Sequence, residues 1–417
     1  MEFLKKYSLL FTIFFSFALI FTTSFSGIRI PFYKVFQCFF IVFSLFSLDN
    51  KNAVNNYKKY LLNEHIFPLL VLLFSIKVFS GFLIMINNYA ALSYGQYFKW
   101  VIVESVDLLF YFYLIKYFLD SNISFKKTII NVFAFSIIFS AFFSVIQFFV
   151  YYFYQYNIIS VITNLPFIWT QNNLLDTYAW GPVLRVGGFM VGPNILATTL
   201  CLLVPIVLYT NIFRYQYYIL SLLILSLILT LSRTGFATFL IILLLGLFYR
   251  KISFKFLLYL LLFLVLALFF IYTNYADIFN TISLRFNVEG VVGSRFDVFS
   301  NSFQILLDNP FGVGINNFSE IYFFQYGLKG FNPHNDWLTL LVELGVIGLI
   351  AHISYYVYLI VFTKRYIHEL SFPLFCIIVS QCVAGFFNQT IVLFQSNLIM
   401  IILYLFIIFE SKNEELK

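Results

Sequence analysis

Apolar runs of about twenty residues recur along nearly the whole chain, and they limit the folds open to it. Of the 417 residues, 62% are hydrophobic and only 10% are charged, whereas a soluble domain carries roughly 25% charged residues. A helix needs about 20 apolar residues to cross the hydrocarbon core of a bilayer. The sequence therefore predicts an all-α polytopic membrane protein, with residues 1–417 forming a single integral membrane domain.

The apolar runs predict about twelve transmembrane helices. They cover residues 8–26, 30–48, 66–86, 99–119, 128–152, 192–212, 216–231, 234–249, 254–273, 337–363, 370–389 and 391–409. The first run follows two lysines like a signal peptide, but it has no convincing small-residue cleavage site and a second run follows closely. It is therefore interpreted as the first helix.

Basic residues predict the orientation of these helices, because they accumulate in cytoplasmic segments. With a cytoplasmic N-terminus, most of the 25 basic residues fall on the inner side, and both termini face the cytoplasm. The net charge of +7 is then explained by topology, and no nucleic-acid partner is expected. Two sizeable segments remain outside: a medium loop over 153–191 and a main loop over 274–336.

The main loop contains a segment at helical spacing. Apolar residues recur from 295 to 307 and stop at Asp308-Asn309-Pro310, which predicts an amphipathic helix lying on the membrane surface. The glycines of GVG at 312–314 permit a tight turn or a close approach to an anion.

Metal and cofactor sites are not expected. Cys38, Cys201, Cys376 and Cys382 lie in apolar runs, without the spacing of a disulfide framework or a zinc site. The sequence also contains no nucleotide-binding loop and no nucleophile elbow.

Four arginines lie on the predicted outer side: Arg185, Arg233, Arg285 and Arg295. Lysine would satisfy the topology rule equally well, so arginine there calls for a reason. Its planar guanidinium binds pairs of phosphate or carboxylate oxygens. The alternative is that each arginine contacts lipid headgroups or pairs with a loop carboxylate.

His334 differs from the other three histidines in its setting. Pro333 precedes it, Asn335-Asp336 follow, and the tenth predicted helix begins there. Asn335 or Asp336 can cap that helix, and a neutral imidazole at its mouth could accept a proton from a substrate hydroxyl. The alternative is a hydrogen-bonded structural histidine.

Four further ionisable residues fall inside predicted helices or close to them. Glu343 lies roughly 10 Å below the cap, at about 1.5 Å per residue; it is a functional candidate, and the favoured interpretation is that it orients loop groups. Lys77, Glu104 and Asp107 form another buried set. A structural ion pair is favoured there over a substrate path, because an unpaired charge would be costly.

Three groups of residues occur together in this chain. They are Asp308-Asn309-Pro310 to Gly312-Val313-Gly314, then Pro333-His334-Asn335 to Leu338, Glu343, Gly345 and Gly348; Ser232-Arg233 in SRTG; and Arg185 through Pro193-Asn194. This combination resembles the recurring segments of the O-antigen ligase and polymerase superfamily, and the twelve-helix pattern with one large outer loop is similar too.

The resemblance implies a metal-independent glycosyltransferase of the GT-C kind in the bacterial inner (plasma) membrane. Such an enzyme needs no cofactor. It moves a glycan from an undecaprenyl-pyrophosphate donor to an acceptor hydroxyl at the outer face of the lipid bilayer. The acceptor is lipid A-core for an O-antigen ligase, and a second lipid-linked glycan for an O-antigen or capsular polysaccharide polymerase.

The resemblance also implies roles for individual residues. The essential arginine of the family corresponds to Arg233, the loop histidine to His334 and the loop arginine to Arg295. Arg285 is the rival for the last assignment, because Phe299 stands where the family usually has Trp. The expected substrate-binding residues are Arg185, Arg285, Asn194, Asn335 and Glu343.

Two alternatives remain. A protein O-oligosaccharyltransferase of the same family shares these motifs, and the moderate outer loop and lack of an extra C-terminal domain mildly disfavour it. A transporter, such as a flippase for lipid-linked glycans, is the alternative from another class. Transporters usually have two related halves, whereas here most candidate groups lie at one face and the halves are unlike.

Overall fold

A computed structural model describes most of the chain. The described residues are 2–16, 22–25, 28–45, 66–86, 94–120, 123–154, 158, 179–180, 183–190, 192–255, 258, 262, 265, 292–327, 335–366, 368–387 and 394–415.

Thirteen helices and two short antiparallel hairpins form within these residues. The helices are α1 (Glu2–Ser16), α2 (Phe32–Leu45), α3 (Ile66–Ile86), α4 (Tyr94–Asp120), α5 (Ile123–Tyr154), α6 (Pro193–Tyr209), α7 (Gln216–Leu229), α8 (Arg233–Phe248), α9 (Val292–Asp308), α10 (Phe318–Tyr326), α11 (Asp336–Arg365), α12 (Ser371–Ala384) and α13 (Phe394–Glu415). The hairpins pair β1 (Thr22–Phe25) with β2 (Ile28–Pro31), and β3 (Ala179–Trp180) with β4 (Val183–Leu184).

Eleven of these helices fall in eleven of the twelve predicted spans, whereas α9 and α10 fall in the predicted main outer loop. The ninth predicted span, 254–273, lies mostly outside the described residues. The helical class is confirmed, and the count of twelve spans stays a prediction.

The first predicted span is wrong near its C-terminal end, where residues 22–25 form a strand. Helix α1 ends at Ser16, and β1 pairs with β2 so that Thr22 faces Pro31 and Phe25 faces Ile28. Hydropathy treats threonine as nearly neutral and so extended the apolar run to residue 26. The β-branched Thr22 and Thr23 lose side-chain freedom in a helix and fit a strand better.

Helix α6 lies at the centre of the bundle. Its side chains from Leu196 to Val207 are all buried, and it packs against α5, α7, α8, α12 and α13. Helix α12 packs against α6, α8 and α11, so it connects the central helices to the long helix that follows the main outer loop.

Helix α11 presents an apolar stripe on its exposed side: Val346, Ile347, Ile350, Ile353, Val357 and Val361 are each at least 44% exposed. A stripe of this length is typical of an interaction surface or a lipid-facing helix.

By length and composition, Asp336–Arg365 and Ser124–Tyr154 are the two described helices that could cross a membrane, and seven shorter apolar helices accompany them. A buried core helix of a soluble protein can meet the same criterion.

Candidate functional site

The N-termini of α6 and α8 meet at a hydrogen bond between Asn194 and Ser232. Asn194 is the second residue of α6, and its Oδ1 accepts from the Ser232 hydroxyl at 2.9 Å. Ser232 caps α8, because its Oγ accepts from the Gly235 N–H at 3.2 Å. A helix N-terminus carries a partial positive charge. The contact therefore brings two positive helix ends to one point.

Gly235 permits this close approach. A Cβ at Gly235 would lie 2.4 Å from the Cβ of Ala197 on α6 and 2.9 Å from Leu227 Cδ1. Real side chains do not approach that closely, so only glycine fits between the first turns of the two helices.

Arg185 joins the same contact from the segment before α6. Its Nε donates to the Thr230 carbonyl at 3.1 Å, and its Nη2 donates to Asn194 Oδ1 at 2.9 Å. The side chain is only 7% exposed. Arg185 thus ties the end of the medium loop to the turn between α7 and α8, and it adds a fixed cation beside the two helix ends.

Arg233 is the first residue of α8, and it is partly exposed directly after the buried Ser232. The structure therefore brings together three of the predicted site residues, Arg185, Asn194 and Arg233. They come from two sequence segments about forty residues apart.

A polar stripe on α5 holds the segment that carries Arg185. The Gly188 N–H donates to Gln147 Oε1 at 3.1 Å, and the Phe189 N–H donates to Ser140 Oγ at 3.2 Å. Gly188 has φ +56°, and a Cβ there would lie 2.9 Å from Ser140. This support was not predicted from the sequence. Its signal was four polar residues at helical spacing inside an apolar helix: Ser136, Ser140, Ser144 and Gln147.

The segment predicted to form the main outer loop is seated on a break in α11. Gly345 has φ 67° and ψ −173° and interrupts the helix. The carbonyls before the break accept from the loop instead: Val342 from the Val313 N–H at 2.9 Å, and Glu343 from the Gly314 N–H at 2.7 Å. Gly312 has φ +91°, and a Cβ there would lie 2.4 Å from the backbone carbonyl oxygen of Glu343. The GVG glycines therefore approach the backbone of α11.

The side chain of Glu343 holds the start of α10. Its Oε1 accepts from the Phe318 N–H at 3.3 Å, and its carboxylate also accepts from the Asn316 N–H. A carboxylate is favourable at this position, because the first N–H groups of a helix lack partners within the helix. Glu343 is 7% exposed, so it is bonded within the protein.

Asn335 begins α11 as its cap, with Oδ1 accepting from the Leu338 N–H at 2.9 Å. The Asp336 N–H donates to the Gly385 carbonyl at the end of α12 at 2.7 Å. Because α12 also packs against α6 and α8, it links the start of α11 to the helices that carry Asn194 and Arg233.

His334, immediately before the cap, lies outside the described residues, as does Arg285. Arg295 lies in the first turn of α9, and its side chain lies outside the described part.

The predicted intramembrane ion pair forms, with one change of partners. Lys77 Nζ lies 2.8 Å from Glu104, and Asp107 pairs with Lys34 at 2.5 Å. Gln37 also donates to Asp107 at 2.7 Å. Asp107 therefore does not pair with Lys77, because α2 places a cation of its own against α4.

Residues 218–353 match the O-Antigen ligase family. The match runs from α7 to the middle of α11, so it includes the Ser232-Arg233 turn, the seated loop and Glu343. This match supports the resemblance of the chain to the O-antigen ligase and polymerase superfamily. No curated protein matched the chain.

The match supports a membrane glycan ligase or polymerase in general, and with it a part in polysaccharide or lipopolysaccharide biosynthesis. Lipid-linked glycans are the substrates that this family implies. The matched segment excludes Arg185 and Asn194, but the hydrogen bonds above join both residues to it.

The part of the chain that the structure describes contains no metal-binding cluster: no three His, Cys, Asp or Glu residues there are placed to hold an ion. The positive groups near the contact of α6 with α8 are instead arginine side chains and helix ends.

Proposed function

We propose that this protein transfers a glycan from undecaprenyl pyrophosphate to an acceptor hydroxyl at the outer face of the bacterial inner membrane, as an O-antigen or capsular polysaccharide polymerase or an O-antigen ligase. The observation that carries the proposal is the meeting of the α6 and α8 N-termini at Asn194 and Ser232, with Arg185 bonded to the same oxygen. Two helix ends and two arginines favour an anion with several oxygens.

The donor side of the reaction needs positive charge. When the bond between the sugar and the pyrophosphate breaks, negative charge develops on the departing phosphate oxygen, and fixed cations stabilise it. Arg233, partly exposed at the start of α8, is proposed to bind this pyrophosphate directly. Arg185 is buried and bonded within the protein, so it is proposed to hold the site in shape. Arg295, at the start of α9, is proposed as the second pyrophosphate ligand.

The acceptor side of the reaction needs a base and a fixed position. His334 precedes the Asn335 cap, and it is proposed to take the proton of the acceptor hydroxyl as that oxygen attacks the anomeric carbon. The new glycosidic bond forms as the bond to the pyrophosphate breaks, with inversion at that carbon. The bonds from Glu343 to the loop and from Asp336 to α12 support a fixed position for this end of α11.

Gel analysis of surface polysaccharide tests the proposal. A strain deleted for the gene is complemented with the wild type, Arg233→Ala, His334→Ala or the control Arg214→Ala, and membrane levels are compared. Arg214 is exposed between α6 and α7 and lies near the ring of Tyr215. Arg233→Ala and His334→Ala are expected to abolish long glycan, whereas Arg214→Ala restores it. Normal glycan with His334→Ala at the wild-type level contradicts its role as the base.

The same gel separates the two activities. Single unpolymerised units on the surface acceptor identify a polymerase. Glycan of normal length that stays on its lipid carrier identifies a ligase. An unchanged pattern in the deletion strain contradicts both and directs attention to glycosylated proteins or to transport.

A further inference from the structure

A chamber of about 70 Å³ lies between α3, α4, α11 and α13. Its ionisable and polar lining consists of Lys77, Glu104, Asp107, Tyr111, His352, Tyr355 and Asn397. These residues belong to helices in predicted spans, and neither the family match nor the proposed reaction gives the chamber a role.

Two groups in the chamber call for a polar ligand. The Tyr355 hydroxyl is buried in a side chain only 2% exposed, and it has no hydrogen-bond partner among the described groups. His352 Nδ1 lies 2.9 Å from the Gly348 carbonyl. A carbonyl only accepts, so Nδ1 carries the proton and Nε2 of the neutral ring is an acceptor. A buried hydroxyl is costly to leave unbonded, and the ring nitrogen can accept a hydrogen bond from the same ligand.

A second, smaller cavity lies on the other side of the Lys77–Glu104 ion pair. Its volume is about 10 Å³, and it is lined by that pair, by Trp100 and Val101 of α4, and by Ile315 and Asn317 of the seated loop. The ion pair lines both cavities. It is therefore the junction between the chamber and the main outer loop.

We propose that the chamber is a water-binding site, and that water reaches it from the main outer loop past Lys77 and Glu104. A bound water needs roughly 10–15 Å³ of such volume, so the chamber has room for about five waters, and the smaller cavity has room for about one water to pass. These waters bond the Tyr355 hydroxyl and His352 Nε2. They also hydrate two ion pairs that would otherwise be costly to bury, and they allow proton exchange between these groups and the outer side.

X-ray radiolytic labelling of the wild-type protein in lipid nanodiscs tests the site. Radiolysis of bound water modifies adjacent side chains even where bulk solvent does not reach. Tyr355 is expected to be modified at least tenfold faster than Tyr404. Tyr404 is the matched control, because it is fully buried and its hydroxyl lies 2.8 Å from that of Tyr358. Equally slow modification of Tyr355 and Tyr404 overturns the proposal.

The route is tested separately with two neighbouring substitutions on α4. Val101 lines the smaller cavity, whereas Ile102 is 63% exposed on the other side of the helix. After rapid mixing with ¹⁸O water, Val101→Phe is expected to slow ¹⁸O appearance in modified Tyr355 severalfold, and Ile102→Phe to leave it unchanged. An unchanged rate in folded Val101→Phe protein overturns the route. Neither measurement depends on glycan transfer.

Discussion

Arg185 and Asn194 form a hydrogen bond of 2.9 Å between Nη2 and Oδ1, and the same oxygen accepts from Ser232. One amide oxygen therefore joins the loop before α6, the first turn of α6 and the cap of α8. Its position depends on both donors. A change at Arg185 is thus expected to reach Arg233, the residue after Ser232, without any direct contact between the two arginines.

Arg185→Lys is expected to reduce glycan transfer by tenfold or more. The guanidinium donates to the Thr230 carbonyl and to Asn194 at the same time, and the single ammonium of lysine cannot reproduce both directions. A hydrogen bond to a charged group contributes about 1.5–3 kcal/mol. The measurement is the amount of long surface glycan per unit of membrane protein. Arg214→Lys is the control. Near-normal activity of Arg185→Lys would contradict a positioning role for the two hydrogen bonds of the Arg185 guanidinium.

Gly312→Ala is expected to disrupt the seat of the main outer loop far more than Gly327→Ala. Both glycines have positive φ, +91° and +71°, so both substitutions strain the backbone by about 1–2 kcal/mol. A Cβ at Gly312 would also lie 2.4 Å from the backbone carbonyl oxygen of Glu343, whereas a Cβ at Gly327 has no atom within 4 Å. The measurement is proteolysis of the loop in membranes, together with glycan transfer. Equal sensitivity of the two variants would mean that the contact with α11 does not hold the loop.

Glu343 substitutions separate a positioning carboxylate from a catalytic one. Glutamine keeps an oxygen that can accept from the Phe318 and Asn316 N–H groups, whereas alanine leaves both without this partner. Glu343→Gln is therefore expected to keep most of the transfer activity, and Glu343→Ala to lose at least tenfold and to expose the loop to protease. Equal loss of activity in both variants, with an intact loop, would show that the negative charge itself takes part in the reaction.

The sequence predicted the helical class and most helix positions, because hydropathy acts locally. The roles of Arg185, Asn194 and Arg233 at a substrate site stay predictions, although the structure brings these residues together. It did not predict partners that depend on helix rotation. Lys34 forms an ion pair with Asp107, whereas the sequence had grouped Asp107 only with Lys77 and Glu104.

The surface that the GVG glycines contact was also not predictable from the sequence. The sequence indicated that GVG permits close approach, but it could not identify the backbone of α11 as the approached surface, since that depends on the break at Gly345. Gln147 was missed for a similar reason: a polar residue inside an apolar helix has a meaning only when its partner, here the Gly188 N–H, is known.

The contact between the first turns of α6 and α8 can be tested by moving one methyl group from position 197 on α6 to position 235 on α8. Gly235→Ala places a Cβ 2.4 Å from the Ala197 Cβ, and overpacking of this kind costs about 1–3 kcal/mol. The helices are expected to move apart, stretching the Asn194–Ser232 bond and reducing glycan transfer by tenfold or more.

Ala197→Gly combined with Gly235→Ala removes the opposing methyl group and is expected to restore most of the activity, because the backbones can then return to their spacing. Ala197→Gly alone is the matched control for the loss of that methyl. Transfer is measured for all four proteins at equal membrane levels. A double variant no more active than Gly235→Ala would mean that the loss does not arise from this contact.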